Sequence, residues 1–201
     1  MGSCFGKEQS PSHTRYLVDN SPFVSGHAGK ADSQAKRNTR PPLCMWVARG
    51  MPPQRPVLSE LHKRIVAESW VYLRCNMLKI GVVVINSLIE AVPPVKKLFE
   101  LRHKNMKLKD VVRYHGELVM GSVDKAVMFL DDPEKMESFM HEVGDRHAEI
   151  TVRLEYMDCF IPFFIQAIRP TLNERWASSI EDAWAAFFRR IIHFIKESTA
   201  F

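Results

Sequence analysis

Two histidines constrain this chain more than any other feature of its sequence. His115 and His147 both lie in the stretch Asp110–His147. Around His115, apolar residues recur at steps of three and four, as on the inward face of an amphipathic helix. His147 ends a second apolar face of the same kind, which starts after residue 132. Both histidines are therefore predicted to point from helices into an apolar core.

An inward histidine has two interpretations. A lone histidine on an apolar face is usually a core residue whose ring donates to a backbone carbonyl. Imidazole is also a common ligand of iron, and a haem needs one proximal histidine and often a distal one. A pair of inward histidines on separate helices raises the weight of the second interpretation, so the flanking sequence has to decide.

Composition divides the chain into two parts. Residues 1–56 are rich in Gly, Ser, Pro and Asn and lack an apolar period, whereas residues 57–201 are periodic almost throughout. This predicts a disordered N-terminal extension and one domain of ordinary size. The extension carries eight basic and three acidic residues, which account for the whole net charge of +5. The domain is then neutral, which argues against nucleic-acid binding.

The N-terminus predicts lipidation. Removal of Met1 would expose Gly2 for N-myristoylation, although Gly6 stands where that signal prefers Ser or Thr. Cys4 is a candidate for palmitoylation, and stable anchoring takes such a second acyl chain. The alternative is an unmodified extension.

We expect a cytoplasmic chain that is anchored to the cytoplasmic face of the plasma membrane if the two lipids are added. The sequence has no secretory signal and no unbroken run of 18 apolar residues. In this compartment the four cysteines are expected to be free thiols. Cys159, within an apolar run, is predicted to be a small core residue.

The domain is predicted to be all-α. Ser59 can cap a first helix, and the apolar run 78–92 is too long for one strand and favours a buried helix. The prolines Pro93-Pro94 end that helix and open a short turn that reaches Phe99.

The C-terminal half continues this helical pattern. Asp132 is predicted to cap the His147 helix, with Pro133 at its first position. Two long apolar helices follow over about 150–169 and 173–197, separated at Pro170.

Residues 57–197 resemble a globin. The resemblance rests on the order and spacing of Trp70 in the first helix, Pro93 opening the third, Phe99 after it, His115 with Val119 four residues on, His147 thirty-two residues after His115, and Trp184 in the final helix. With its extension, the chain is similar to N-terminally extended invertebrate globins that could carry an acyl group. Its haem pocket resembles those of neuroglobin or globin X.

The resemblance implies a globin fold of about seven helices around haem b (iron protoporphyrin IX). The loop after Phe99 is short, so the small fourth helix is expected to be reduced or absent. By position, Phe99 would stack on the haem, His147 would be the proximal iron ligand and His115 the distal histidine. Val119 would form the distal wall, and Ile85 would lie over the distal face.

Two positions depart from the family pattern. Leu118 stands where some globins place a basic residue near the haem propionates. Arg146, beside the proximal histidine, could reach a propionate or face water, and we expect it to face water.

His115 has two possible roles, as a hydrogen-bond donor to an iron-bound ligand or as a sixth iron ligand. We expect a globin that binds oxygen, nitric oxide or other small ligands and/or transfers electrons to a redox partner, in redox signalling or gas sensing at a membrane. The alternatives are a haem enzyme, such as a nitric oxide dioxygenase or nitrite reductase served by a separate reductase, and a haemless helical interaction module.

Overall fold

A computed structural model of the chain describes residues 56–150 and 152–198, and this part of the chain is all-α, as predicted. Its α-helices, in chain order, are α1 (Glu60–Leu73), α2 (Met77–Ala91), α3 (Pro93–Arg102), α4 (Leu108–Met128), α5 (Pro133–Ala148), α6 (Phe160–Leu172) and α7 (Ser178–Glu197). Short 3-10 turns occupy Arg74–Asn76, Leu154–Cys159 and Asn173–Arg175. No helix lies between α3 and α4, so the expected loss of the small fourth helix is confirmed.

The helix starts follow the predicted caps. The Ser59 hydroxyl accepts a hydrogen bond from the His62 N–H at 3.2 Å at the start of α1. The Asp132 carboxylate accepts one from the Lys135 N–H at 3.1 Å, with Pro133 at the first position of α5. These side chains satisfy backbone donors that have no partner within the helix.

The segment before α6 differs from the prediction. The helix expected over 150–169 begins only at Phe160, after the 3-10 turn Leu154–Cys159. It also continues through Pro170 to Leu172. A proline in the last turn interrupts little of the hydrogen-bond ladder, and burial of Leu172 in the core favours the extra residues.

The final helix also begins later than predicted. Asn173, with φ 46°, adopts the left-handed backbone that asparagine tolerates better than most residues, and it ends α6. The 3-10 turn Asn173–Arg175 follows, and α7 starts at Ser178 rather than at residue 173.

The main core lies between α1, α2, α4, α5, α6 and α7 and is rich in aromatic side chains. Trp184 is fully buried, and its ring centre lies 5.6 Å from that of Trp70. Each indole N–H has a partner, because Trp184 donates to the Ser69 hydroxyl at 3.0 Å and Trp70 donates to the Asp124 carboxylate at 2.7 Å. These bonds tie α1 to α7 and to α4.

The two cysteines in the described part of the chain, Cys75 and Cys159, were expected to be free thiols, and the structure differs from this expectation. Cys159 is fully buried in an apolar cluster, as expected. Cys75 and Cys159 are both disulfide-bonded, however, so the expectation of free thiols is wrong for these two residues.

One stretch, Glu60–Ala91, is long and apolar enough to cross a membrane by length and composition alone. In the fold it forms α1, a 3-10 turn and α2, and it contributes Val66, Trp70 and Ile80 to the core. The sequence prediction considered only unbroken apolar runs and therefore missed this stretch. Core helices have the same composition, so the finding gives no membrane assignment.

Candidate haem site

The fold brings the two predicted histidine rings close together. The ring centres of His115 on α4 and His147 on α5 lie 6.4 Å apart, and their planes cross at 80°. The Phe99 ring, in the last turns of α3, meets the His115 ring edge-on at 5.0 Å. Three residues from three helices thus converge on one place.

A hydrogen bond sets the orientation of the His147 ring. Its Nδ1 lies 2.7 Å from the backbone carbonyl of Val143, one turn earlier on α5. Because a carbonyl only accepts, Nδ1 carries the proton and Nε2 keeps the lone pair that binds a metal. Metal-binding histidines usually have such an outer partner, but so do ordinary core histidines. This bond alone therefore fits both interpretations.

The spacing of the rings is compatible with a metal ion between them. A metal-to-imidazole bond is about 2.0–2.1 Å long, and ring bonds of about 1.33 Å place the ring centre about 1.1 Å beyond the nitrogen. Two imidazoles on opposite sides of one metal ion then have centres roughly 6.3 Å apart. The observed separation of His115 and His147 is 6.4 Å. The residues present therefore fit a haem iron between them.

Burial keeps both imidazoles in the form that binds a metal. Burial, followed by the neighbouring His147 and His103, lowers the pKa of His115 from 6.5 to about 4. Burial also lowers the pKa of His147, with the hydrogen bond to Val143 opposing this effect and Arg146 adding to it. Both rings are thus neutral at pH 7, and only a neutral imidazole can coordinate a metal.

The predicted wall residues also come together. Ile85 is buried in a small apolar cluster between α2, α3 and α4, and Phe99 and Val119 pack against that cluster. Tyr156 and Phe163 pack there too, although the sequence analysis did not name them. Tyr156 lies in the 3-10 turn Leu154–Cys159, where an α-helical period does not give the directions of side chains, so the sequence pattern gave no signal for it.

A cavity of about 210 Å³ adjoins the site on the side of α3. Phe99, Leu108 and Val111 line its apolar part, and His103 and Lys104 line its polar part. The site therefore lies next to open space between α3 and α4.

A close helix contact positions His115. Gly116, the next residue, faces Gly81 of α2, and a Cβ on Gly116 would lie 2.9 Å from the Gly81 carbonyl carbon. A Cβ on Gly81 would lie 2.5 Å from the Gly116 carbonyl oxygen. The backbones of α2 and α4 meet this closely only because both residues lack a side chain. His115 is thereby placed one residue from a rigid crossing.

A similar contact positions His147. Gly144, three residues earlier on α5, faces the end of α7, where a Cβ would clash with the Ile195 carbonyl oxygen and with the Ser198 hydroxyl. Each histidine helix therefore has a glycine against a different neighbouring helix.

Two residues at the margin of the site are exposed to solvent. Arg146 points to solvent and forms an ion pair with Glu142 at 3.8 Å, with 71% of its side chain exposed. The expectation that it faces water is confirmed. Leu118 is also exposed, at 37%.

Comparison with known proteins places the chain in one family. The globin family model matches residues 83–195. The chain is 24% identical to neuroglobin of Tetraodon nigroviridis over 140 residues, or 67% of this chain and 88% of that protein. It is 21% identical to cytoglobin-2 of Danio rerio, over 64% of this chain and 75% of that protein.

The fold is also similar to a solved structure, that of a hexacoordinated heme protein from an anhydrobiotic tardigrade at pH 4. The TM-score is 0.64 at 17% identity, and the match covers 74% of this chain and 99% of the other. That likeness shows the fold, while the family match spans more than half of the chain. The chain therefore belongs to the globin family, and its cofactor is a haem.

Proposed function

We propose that this globin binds haem b between His147 and His115, with both histidines as axial ligands of the iron. The ring separation of 6.4 Å carries the proposal. A distal histidine that only donates a hydrogen bond is separated from the iron by the bound molecule. Its ring nitrogen lies about 2.7–3.2 Å from the acceptor atom of that molecule, which puts the two ring centres roughly 8 Å apart. The separation of 6.4 Å favours direct binding of both histidines to the iron.

The chain's own residues have distinct roles in this proposal. His147 holds the cofactor, and its bond to Val143 keeps Nε2 available. Phe99 and Ile85 exclude water from the face on which His115 lies. When bound, the haem supplies an iron that can change oxidation state and bind small gases.

With both histidines bound to the haem iron, an external ligand would have to displace His115. The ring of His115 would then turn away, because the backbone of α4 beside it is fixed by Gly116 against α2. Such a movement makes gas binding compete with a conformational change of the protein. This behaviour favours redox signalling or gas sensing, with electron transfer to a redox partner, over bulk oxygen transport.

The optical spectrum of the ferrous, haem-loaded full chain tests the axial ligands. We expect a six-coordinate spectrum without added ligand, and a five-coordinate spectrum in His115→Leu. His147→Ala is expected to lose most of the haem. His62→Ala, a half-buried histidine in the first turn of α1, is the matched control and should keep the six-coordinate spectrum. A five-coordinate spectrum of the unmodified protein would overturn the bis-histidyl proposal and leave a globin in which His115 acts only as a donor.

We further propose that Gly2 and Cys4 are acylated and attach the globin to the cytoplasmic face of the plasma membrane. Both residues lie outside the described part of the chain, and the support is the sequence Met1-Gly2-Ser3-Cys4 together with the basic residues that follow it. Fractionation of cells that express Gly2→Ala tests the anchor. We expect loss of the protein from the membrane fraction, and an unchanged distribution would contradict the proposal.

A further inference from the structure

The seam between α5 and α7 carries a second group of metal-ligand side chains, away from the two axial histidines. Glu137 and His141 lie four residues apart on α5, and therefore on one face of the helix. Glu197 lies at the C-terminal end of α7. One ligand atom from each of the three comes within 4.8 Å of both others, and all three residues are half-buried.

This spacing is close to what one metal ion requires. Ligand atoms around a tetrahedral ion at bonds of about 2.0–2.2 Å lie roughly 3.4 Å from one another. The three side chains can reach that distance by small rotations, because glutamate has several flexible torsions. The backbones already lie close together, since Gly144 brings α5 against the last turn of α7.

The state of His141 is a separate indication of a ligand. Its Nε2 is buried and has no hydrogen-bond partner within the part of the chain that the structure describes. Its ring is held by Phe194 of α7, at 6.3 Å between ring centres. A buried ring nitrogen without a partner is unfavourable, and a bound metal ion is one way to satisfy it.

The surroundings supply an outer partner as well. His193 Nε2 lies 3.3 Å from Glu197 Oε1, one turn along α7. The two atoms do not form a hydrogen bond in this geometry, and a small rotation of the His193 ring would let it donate to Glu197 when Glu197 binds a metal ion.

We propose that Glu137, His141 and Glu197 bind one divalent transition-metal ion of the zinc type, with water completing its coordination and His193 orienting Glu197. The mixture of one imidazole and two carboxylates suits such an ion. The site shares no residue with the haem site and does not depend on the proposed axial ligands. It joins α5 to α7 six residues before His147, so a bound ion stabilises the helix that holds the proximal histidine.

Equilibrium dialysis of the haem-loaded full chain against Zn²⁺, with zinc per chain measured by atomic emission, tests this site. We expect one tightly bound zinc ion. Removal of an outer partner of a metal ligand lowers affinity by about 10–100-fold, so His193→Gln is expected to fall in that range. Glu137→Gln and His141→Gln are expected to lose at least as much affinity.

His62→Gln is the matched control, because it removes a histidine of α1 and should leave zinc affinity unchanged. The haem absorption band and the far-ultraviolet circular dichroism of each variant establish that it is folded. Glu137→Gln keeps the shape of the side chain and so serves if His141→Gln does not fold. Absence of a tight zinc ion, or equal affinity in Glu137→Gln and the unmodified chain, overturns the proposal.

Discussion

The contact between Gly116 and Gly81 gives the sharpest prediction about how this globin is held together. In Gly116→Ala, the new methyl group would lie 2.9 Å from the Gly81 carbonyl carbon and 3.0 Å from the Val82 nitrogen. Both are backbone atoms, so no side chain can rotate away. The helices α2 and α4 have to separate, and His115 moves with Gly116.

The magnitude follows from two opposed effects. Overpacking of a tight contact costs about 1–3 kcal/mol, while replacing glycine by alanine inside a helix contributes about 0.5–1 kcal/mol of stability. Gly121, in the same helix, isolates the second effect, because a Cβ there meets nothing within 4 Å. Gly121→Ala is therefore expected to be slightly stabilised. The two variants should differ by about 1–3 kcal/mol, which is the cost of the contact.

Thermal unfolding of the two haem-loaded variants, at equal protein and haem concentrations, measures this difference. Each kcal/mol changes Tm by about 2–4 °C in a chain of this size. We also expect Gly116→Ala to show partial loss of the six-coordinate ferrous spectrum, since His115 is displaced, and Gly121→Ala to retain it. Equal Tm values and equal spectra for the two variants would refute the reasoning that this crossing positions the histidine.

Three further predictions concern other parts of the structure. Gly144→Ala, which would clash with the backbone of α7, is expected to accelerate haem loss to an acceptor globin, and an unchanged rate argues against a role of this contact at His147. Ser69→Ala leaves the buried Trp184 N–H without its partner, so urea unfolding should show a loss of about 1–3 kcal/mol. In the haem-free chain, burial holds the folded pKa of His115 near 4, below its unfolded value of 6.5. Stability is then complete above pH 6.5 and is lost by up to about 3 kcal/mol as the pH falls toward 4, and urea titrations of His115→Leu should show a smaller loss over this range.

The sequence could predict which way the histidines face but not how far apart they lie. Helical periodicity places His115 and His147 on inward faces, because that depends only on neighbours within a few turns. Their separation depends on Gly116 meeting Gly81, thirty-five residues earlier, and on Gly144 meeting Ile195. Such pairings join distant parts of the chain, and nothing in the local pattern identifies the partner of a given glycine.

The sequence pattern did not identify Tyr156, beside the site, for a local reason. The segment 150–159 was predicted as part of an α-helix. In the structure Leu154–Cys159 is a 3-10 turn, with 3.0 instead of 3.6 residues per turn, so the inward face rotates by about 20° per residue. Over six residues this amounts to about 120°, which is enough to bring Tyr156 into the cluster around Ile85.

The two histidines are not held equally, and this difference bears on which of them gives way to an external ligand. His147 is fixed by its own hydrogen bond to Val143, and α5 is fixed against α7 at Gly144. The proposed zinc ion would add a third restraint to the same helix. On α4, the glycine crossing fixes the backbone beside His115 but not the ring of His115 itself. Displacement is therefore expected at His115 through movement of its ring, while α5 stays in place and keeps the haem bound.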